Sequence, residues 1–348
     1  MQISRLPISS HETVLRVCDD TIGLTGFIAV HSTKLGPAAG GLRMRRYTSE
    51  DAALTDALRL SEGMTYKNAA AGLPLGGGKA VIMGDATQKT SAQLLTFARA
   101  INTLEGTYWT AEDMGMSPDD MALLATETKF VAGLPNGPHA SGDPSPITAR
   151  GIFQSLKITA QHRFGSADLK GRKVAVQGLG HVGTYLCDLL HNAGAKLIIA
   201  DIEPKRVAKL AKKYGATIAG PNEILTVEAD IFAPCAIGAI LNQDSIAKLR
   251  VAAICGGANN QLATPEDGAR LHARGILYAP DFVANAGGII NVATEVLGIA
   301  DRAAYVDEKL AAVELTLERI FERAASLDCS PAEVAVSIVD EMLTDRAA

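Results

Sequence analysis

Two lysines and one aspartate stand where this chain could do proton chemistry: Lys67 in MTYKNAA, Lys79 in GGGKA and Asp113 in AEDMG. Burial disfavours a lysine's charged form, so an amine in a dry cleft can act as a base near neutral pH. A second lysine that keeps its charge can hold an anion, and a carboxylate can carry protons between a substrate amine and water. Spacing along the chain does not by itself bring the three together. Two surface lysines and a loop aspartate fit the same residues. The surrounding GLPLGGGKA has the look of a phosphate loop but lacks its parts. A GxxxxGK[ST] loop needs glycine six residues before the lysine and a hydroxyl after it for magnesium. Those positions are Leu73 and Ala80.

A second glycine-rich stretch carries a nucleotide signal. KVAVQ reads as a strand, Gly178, Gly180 and Gly183 form GLGHVG together with His181 and Val182, and VGTYLCDLLHNAG reads as a helix. In such a motif one glycine makes the tight turn, one admits a pyrophosphate to backbone N–H groups at the helix N-terminus, and one lets helix and strand pack closely. The next strand, KLIIAD, ends in Asp201, at the offset where a carboxylate accepts hydrogen bonds from an adenosine ribose. That carboxylate would repel a 2′-phosphate, so NAD is favoured over NADP. The basic run KRVAKLAKK with Lys205 and Arg206 reads as a solvated helix face.

Composition narrows the partners. The 348 residues, 47% hydrophobic and 20% charged, suit a globular protein of more than one core. A net charge of -5 offers no footprint for nucleic acid or an anionic membrane, so a small molecule is the expected partner. Five dispersed cysteines read as reduced thiols. MQISRLPISSHETV has no apolar signal core, and no apolar run is long enough to span a bilayer, so the expected location is the cytoplasm. The histidines form no HExxH or Cys/His cluster, so no metal is assigned.

These groups need elements to hold them. TGFIAVHS and GLRMRRY read as strands on either side of a turn KLGPAAGG. Ser49 to Ala71 reads as a helix stopped by Gly72, with Met64, Lys67 and Ala71 on one face. Lys67 therefore either snorkels from the helix edge or points into a cleft. GKAVIMGD is a strand, and Ser117 with Pro118 opens a further helix after the Asp113 loop. SGDPSPIT reads as an interdomain hinge near Pro146. Beyond it strands and helices alternate through KVAVQG, KLIIAD, ADIFAP, AAICGG and ILYAPD, the pattern of a parallel sheet with helices on both faces. Helices close the chain, from about Arg302 to Leu327 and from Ser330 onward. The expected organisation is a two-domain α/β protein. Residues 1–146 form an α/β substrate domain joined by the C-terminal helix 330–348 folding back, and residues 147–329 form a doubly wound, Rossmann-type cofactor domain.

GGLRMRRY, DALRLSEGMTYKNAAAGLPLGGGKAVI, TAEDMG, GDPSPITARGIF, AVQGLGHVG, APCAIGA, GGANNQL and YAPDFVANAGGIINV occur in this order over nearly the whole chain. In them the sequence resembles the leucine, phenylalanine and valine dehydrogenases of the amino-acid dehydrogenase superfamily. The resemblance implies NAD-dependent oxidative deamination of an L-amino acid to a 2-oxo acid and ammonium, reversibly, by a homo-oligomer. It assigns Lys67, with the Gly40 and Gly41 backbone, to the substrate carboxylate, Lys79 to activation of the attacking water, and Asp113 to proton transfer at the amino group. It puts Thr148, Ala258, Asn259 and Asn285 beside the nicotinamide and Asn260 beside the substrate. Ala39, Met64, Ala111, Ile289 and Val292 would form an apolar side-chain pocket. Met64 stands where glutamate-specific relatives carry a lysine, and Ala39 replaces a leucine common in leucine-specific members. Leucine and branched-chain substrates are favoured, with a phenylalanine or tryptophan enzyme the alternative. A reading of another class is a catalytically silent NAD-binding sensor or scaffold.

Overall fold

The computed structural model describes residues 1–137 and 140–345. The chain divides into two compact units. Unit 1 takes Met1–Pro144, Ile289–Asp307 and the residues from Met342; unit 2 takes Ser145–Gly288 and Glu308–Glu341. Neither unit is one continuous stretch of chain.

Unit 1 is built on a six-stranded mixed sheet of β1 (Gln2–Arg5), β2 (Thr13–Asp19), β3 (Leu24–Ser32), β4 (Ala38–Arg45), β5 (Gly76–Met83) and β6 (Tyr108–Glu112). Its order is β1-β2-β3-β5-β4-β6. β1, β2, β3 and β5 pair antiparallel, whereas β4 runs parallel to both β5 and β6. β4 begins at Ala38, so the AAGG assigned to a turn is strand. Its backbone is held by parallel ladders on both sides, which outweigh the turn preference of glycine. α1 (Glu50–Ala70) lies against β5, with Ser49 accepting from Ala52 N–H as its N-cap and Glu50 and Asp51 in the first turn. α2 (Ser91–Asn102) and α3 (Pro118–Leu124) follow, the latter capped by Ser117 with proline at its start. One apolar core gathers Ile28, Leu42, Ile82, Phe97 and Tyr108; a second, on the other side of the sheet, packs Phe27 and Val81 with Ala53 and Ala57 of α1.

The glycines of β5 are there to admit neighbours. A Cβ on Gly77 would lie 2.1 Å from Thr65 Oγ1 and 2.2 Å from Thr65 N, and one on Gly78 would lie 2.5 Å from the Tyr108 ring. One glycine lets α1 sit directly on the strand, the next lets a tyrosine lie flat on its other face. Asn68 of α1 donates to Gly76 O at 2.5 Å and fixes the pair.

Unit 2 starts with α4 (Ser145–Phe164), so Ser145 to Thr148 of the expected hinge form a helical first turn; proline suits that position because the N–H it lacks has no helical partner there. Then come β7 (Lys173–Gln177), α5 (His181–Asn192), β8 (Lys196–Ala200), α6 (Pro204–Tyr214), β9 (Thr217–Ile218), β10 (Ile231–Pro234), α7 (Gln243–Lys248), β11 (Ala253–Ile254), α8 (Glu266–Ala273) and β12 (Leu277–Tyr278). All six strands are parallel, in the order β12-β11-β10-β7-β8-β9. This is a doubly wound, Rossmann-type sheet whose order reverses beside β7, where ligands bind outside the carboxyl ends of the strands.

Two short helices and two long ones complete the chain's described course: α9 (Asp281–Ala284), α10 (Gly287–Val296), α11 (Arg302–Leu327) and α12 (Pro331–Asp345). α12 is counted with unit 2 through Glu341, and residues 346–348 of the expected 330–348 helix lie outside the described residues. Ser330 caps α12 by accepting from Ala332 N–H at 3.2 Å. The five cysteines are free thiols. Among the described residues no helix is long and apolar enough to cross a membrane, and no group of three or more His, Cys, Asp or Glu could hold a metal ion.

Candidate active site

In unit 1 the polar groups gather along β4 and β5 and just past the end of β6. Lys79 lies within β5 and is 4% exposed, with its amine in contact with the Asp113 carboxylate just past β6. Burial, with the positive charges of Arg43 and Lys67 next in effect, holds the Lys79 amine well below its ordinary range. Lys67 is half-buried on α1, and its charge acts on Lys79. Asp113 is held on its other oxygen, accepting from Met114 N–H at 2.5 Å and facing Arg43 at 3.4 Å.

Arg43 is the site residue that sequence reasoning missed. It reaches Asp113 with one nitrogen and Asp56 with the other, at 3.1 Å. Asp56 of α1 is itself buried and accepts from Tyr47 OH at 2.8 Å. Burial pushes its carboxyl up, but Tyr47, Arg43 and Arg45 together outweigh that and hold it below the usual carboxylate value. The available signal was the period-two alternation of β4, which puts Gly41 and Arg43 on the same face. A Cβ on Gly41 would lie 2.7 Å from Asp113 Cβ, so a side chain there would displace the carboxylate. Gly40 faces the other way, where a Cβ would lie 1.8 Å from Gly78 O and 3.3 Å from Met64 Cγ.

The apolar candidates are distributed around this cluster. Ala39 pairs in register with Gly77 and Trp109, and Ala111 with Gly41. Both are buried, and Met64 is half-buried. Ile289 and Val292 are half-buried on α10, one helical turn apart, and belong to unit 1 with the other three.

Unit 2 carries the second cluster. Gly178 follows β7 with φ of +92°, and a Cβ on it would lie 2.8 Å from Ala236 beyond β10, so only glycine serves at this turn. A Cβ on Gly183 would lie 2.0 Å from Gly178 O, which seats α5 against the loop. Gly180 caps α5 with open space where a Cβ would be; Gly180 and His181 are exposed and Val182 is half-buried. Asp201 accepts from Leu179 N–H at 2.6 Å and from Glu203 N–H at 2.9 Å. Burial pushes the Asp201 carboxyl up, and these N–H bonds with Arg206 more than offset it, leaving it below its usual value. Arg206 stands 3.4 Å from both Asp201 oxygens, so it is not simply a solvated residue of a basic face: the fold brings α6 back over the end of β8.

Thr148 lies in the first turn of α4, and a Cβ on Gly287 would lie 2.8 Å from its Cα. Ala258 is buried beyond β11, and Asn260 adopts φ of +52° with its N–H on Asp281 Oδ2 at 2.5 Å. Asn285 is 4% exposed; its amide nitrogen donates to Asn259 Oδ1 at 2.8 Å, while its Oδ1 is buried without a hydrogen-bond partner. An orphaned acceptor of this kind suits a ligand carboxamide, and the open N-terminus of α5 suits a pyrophosphate. The residues present therefore fit a nicotinamide dinucleotide.

The family model described as Glu/Leu/Phe/Val dehydrogenase, dimerisation domain, matches residues 9–130, and that of Glutamate/Leucine/Phenylalanine/Valine dehydrogenase matches 141–203 and 199–335. The chain is 47% identical to a leucine dehydrogenase of Geobacillus stearothermophilus over 97% of its own length and 90% of the relative's. It is 43% identical to a phenylalanine dehydrogenase of Caldalkalibacillus thermarum, covering 98% and 93%. Its fold superposes with a TM-score of 0.84 on the crystal structure of L-tryptophan dehydrogenase from Nostoc punctiforme, at 40% identity and with 97% of each chain covered.

Proposed function

Because the chain belongs to the glutamate/leucine/phenylalanine/valine dehydrogenase family, we propose that unit 2 takes NAD while the Lys79 cluster of unit 1 takes an apolar L-amino acid, with leucine preferred. The protein is an amino-acid dehydrogenase, an oxidoreductase that deaminates its substrate to a 2-oxo acid and ammonium and runs in reverse. Residues holding the cofactor are Gly178, Gly180, His181, Val182 and Gly183 at the pyrophosphate, Asp201 at the ribose, and Thr148, Ala258, Asn259 and Asn285 at the nicotinamide. When bound, NAD supplies the acceptor for the hydride that leaves the substrate α-carbon.

The chain's own residues do the rest. Lys67, with Gly40 and Gly41 backbone, binds the substrate carboxylate. Asp113 accepts a proton from the substrate ammonium, so that hydride loss leaves an iminium. The Lys79 amine takes a proton from water as its oxygen bonds to the iminium carbon, giving a carbinolamine. Asp113 then returns its proton to the departing nitrogen, the C–N bond breaks as the carbinol O–H proton passes to the released ammonia, ammonium and the 2-oxo acid leave, and Lys79 gives its proton to solvent. Asn260 assists at the substrate. Ala39, Met64, Ala111, Ile289 and Val292 offer the side chain no polar partner, which disfavours glutamate and leaves leucine, with phenylalanine or tryptophan the second reading.

One observation carries this reading: a buried amine, kept low in proton affinity, touching a carboxylate beside a second lysine. The test is NADH formation with leucine, valine, phenylalanine and tryptophan at alkaline pH, repeated with Lys79→Ala. Wild type is expected to turn over leucine best, and the variant to lose turnover while still binding NADH. Turnover by the variant at near-normal rate refutes the role of Lys79, and silence of the wild type on every substrate favours an NAD-binding sensor. A cytoplasmic homo-oligomer completes the proposal, supported by five free thiols and by the dimerisation-domain model over residues 9–130.

A further inference from the structure

A buried polar network in unit 1 that the reaction does not use surrounds Glu295 of α10. Its Oε2 accepts from Gly133 N–H at 2.7 Å, Leu134 N–H at 3.3 Å, Ser141 N–H at 3.1 Å and Ser141 Oγ–H at 2.9 Å. Arg302 closes the same knot from the opposite sign of charge, donating to Ala140 O at 2.5 Å, Ser141 O at 2.9 Å and Thr294 Oγ1 at 3.1 Å. Asn291, one turn before Glu295, donates to Ser141 O at 3.0 Å. A carboxylate that is 9% exposed is costly to bury unless it is hydrogen-bonded, and here one oxygen, Oε2, gathers donors from two stretches of chain while Oε1 faces Leu134 N–H at 3.4 Å.

What the knot fixes is the position of α10 relative to the end of β6. Ala132 N–H bonds to Thr110 O at 2.8 Å, so residues 131–132 run along β6, and the Cβ position of Gly133 is 3.9 Å from Glu112 N. Glu295 thus grips the chain beside the residue preceding Asp113. On α10, Asn291 and Glu295 turn toward this grip, while Ile289, Val292 and Val296 recur at helical spacing as a separate half-buried stripe.

We propose that Glu295 is a positioning residue for substrate specificity: with Arg302 it sets how far Ile289 and Val292 stand from Ala111, and so the depth of the side-chain pocket. This rests on the reading that these residues line that pocket. A glutamine at 295 can still offer one oxygen to the donors that meet on Oε2, but it loses the charge that strengthens those bonds and turns an NH2 toward Leu134 N–H, so the seat of α10 weakens without loss of volume.

The experiment compares wild type with Glu295→Gln for steady-state kinetics on leucine and phenylalanine, with NADH binding by fluorescence. KM for leucine is expected to rise about fivefold or more, and the leucine to phenylalanine ratio of kcat/KM to change about threefold or more, with kcat and NADH affinity nearly unchanged. Glu295→Asp, which keeps the charge, is expected to recover part of the leucine KM. If Glu295→Gln does not fold, Arg302→Lys, which keeps charge but loses the planar fork, is read in the same way. An unchanged KM and ratio in a folded variant overturns the proposal, as does a uniform loss of melting temperature, kcat and NADH binding, which marks a merely structural role. Failure of the wild type to turn over either amino acid overturns instead the pocket reading beneath it.

Discussion

Lys79 has its low proton affinity because the protein removes water from it and sets two further positive charges nearby. Arg43 is the more informative of the two, since it also pairs with Asp113 and Asp56. Replacing it by methionine keeps much of the stem and removes the charge. The sign follows directly: one fewer positive neighbour raises the Lys79 pKa, so the unprotonated base appears only at higher pH. In Arg43→Met the acid limb of the pH profile of kcat/KM for deamination should move to the alkaline side, with activity at pH 8 down about tenfold. A limb that stays in place or moves to lower pH would show that Arg43 does not act on the base. Lys79 and Asp113 could be picked out of the sequence as chemistry-bearing types. Arg43 was signalled only by sharing a strand face with Gly41, and Asp56 not at all, because an arginine on a strand and an aspartate on a helix are ordinary surface residues until burial makes them partners.

At the scale of elements, two glycines separated by little sequence have opposite meanings. Gly77 is enclosed by α1, with Thr65 and Ser61 backbone atoms at 2.2 and 2.5 Å from a would-be Cβ. Gly77→Ala should lower stability by about 3 kcal/mol or more, measured by denaturant melts, since backbone on both sides must move. Gly63, in the middle of α1, has nothing within 4 Å of its Cβ position. Gly63→Ala should stabilise by about 0.5–1 kcal/mol through helix propensity. Equal effects at both sites would mean that α1 does not sit on β5 as described. The sequence shows both glycines, and the α1 boundaries emerge from its acidic start and Gly72 stop. The meaning of GGGK does not, because close approach is a property of the neighbour.

At the scale of the molecule, unit 2 closes only with chain from beyond residue 307. Gly151 of α4 faces Leu310, with 3.1 Å from its Cβ position to Leu310 Cδ2, His162 stacks on Phe321 at 5.1 Å, and Gly268 of α8 faces Ser330 and Ala332. A fragment of residues 145–345 should therefore melt cooperatively and bind NADH, whereas residues 145–288 should not fold, as read by circular dichroism. Cooperative folding of the shorter fragment would show that α11 and α12 are dispensable to unit 2. Unit 1 likewise recovers Ile289–Asp307 from far along the chain, through the Glu295 and Arg302 bonds to Gly133, Leu134, Ala140 and Ser141.

The sequence by itself determined the two-domain α/β class, the parallel character of the second sheet and the dehydrogenase family, because periodicity, glycine spacing and long motifs are local in the chain. Tertiary structure alone decided that Arg43 and Lys67 act on Lys79, that Arg206 returns to Asp201, and that Glu295 holds α10 to the β6 side of unit 1. The physical reason is common to all three: the strength of a charge depends on the water removed from it and on the charges folded against it, and neither is written in the spacing of residues along the chain.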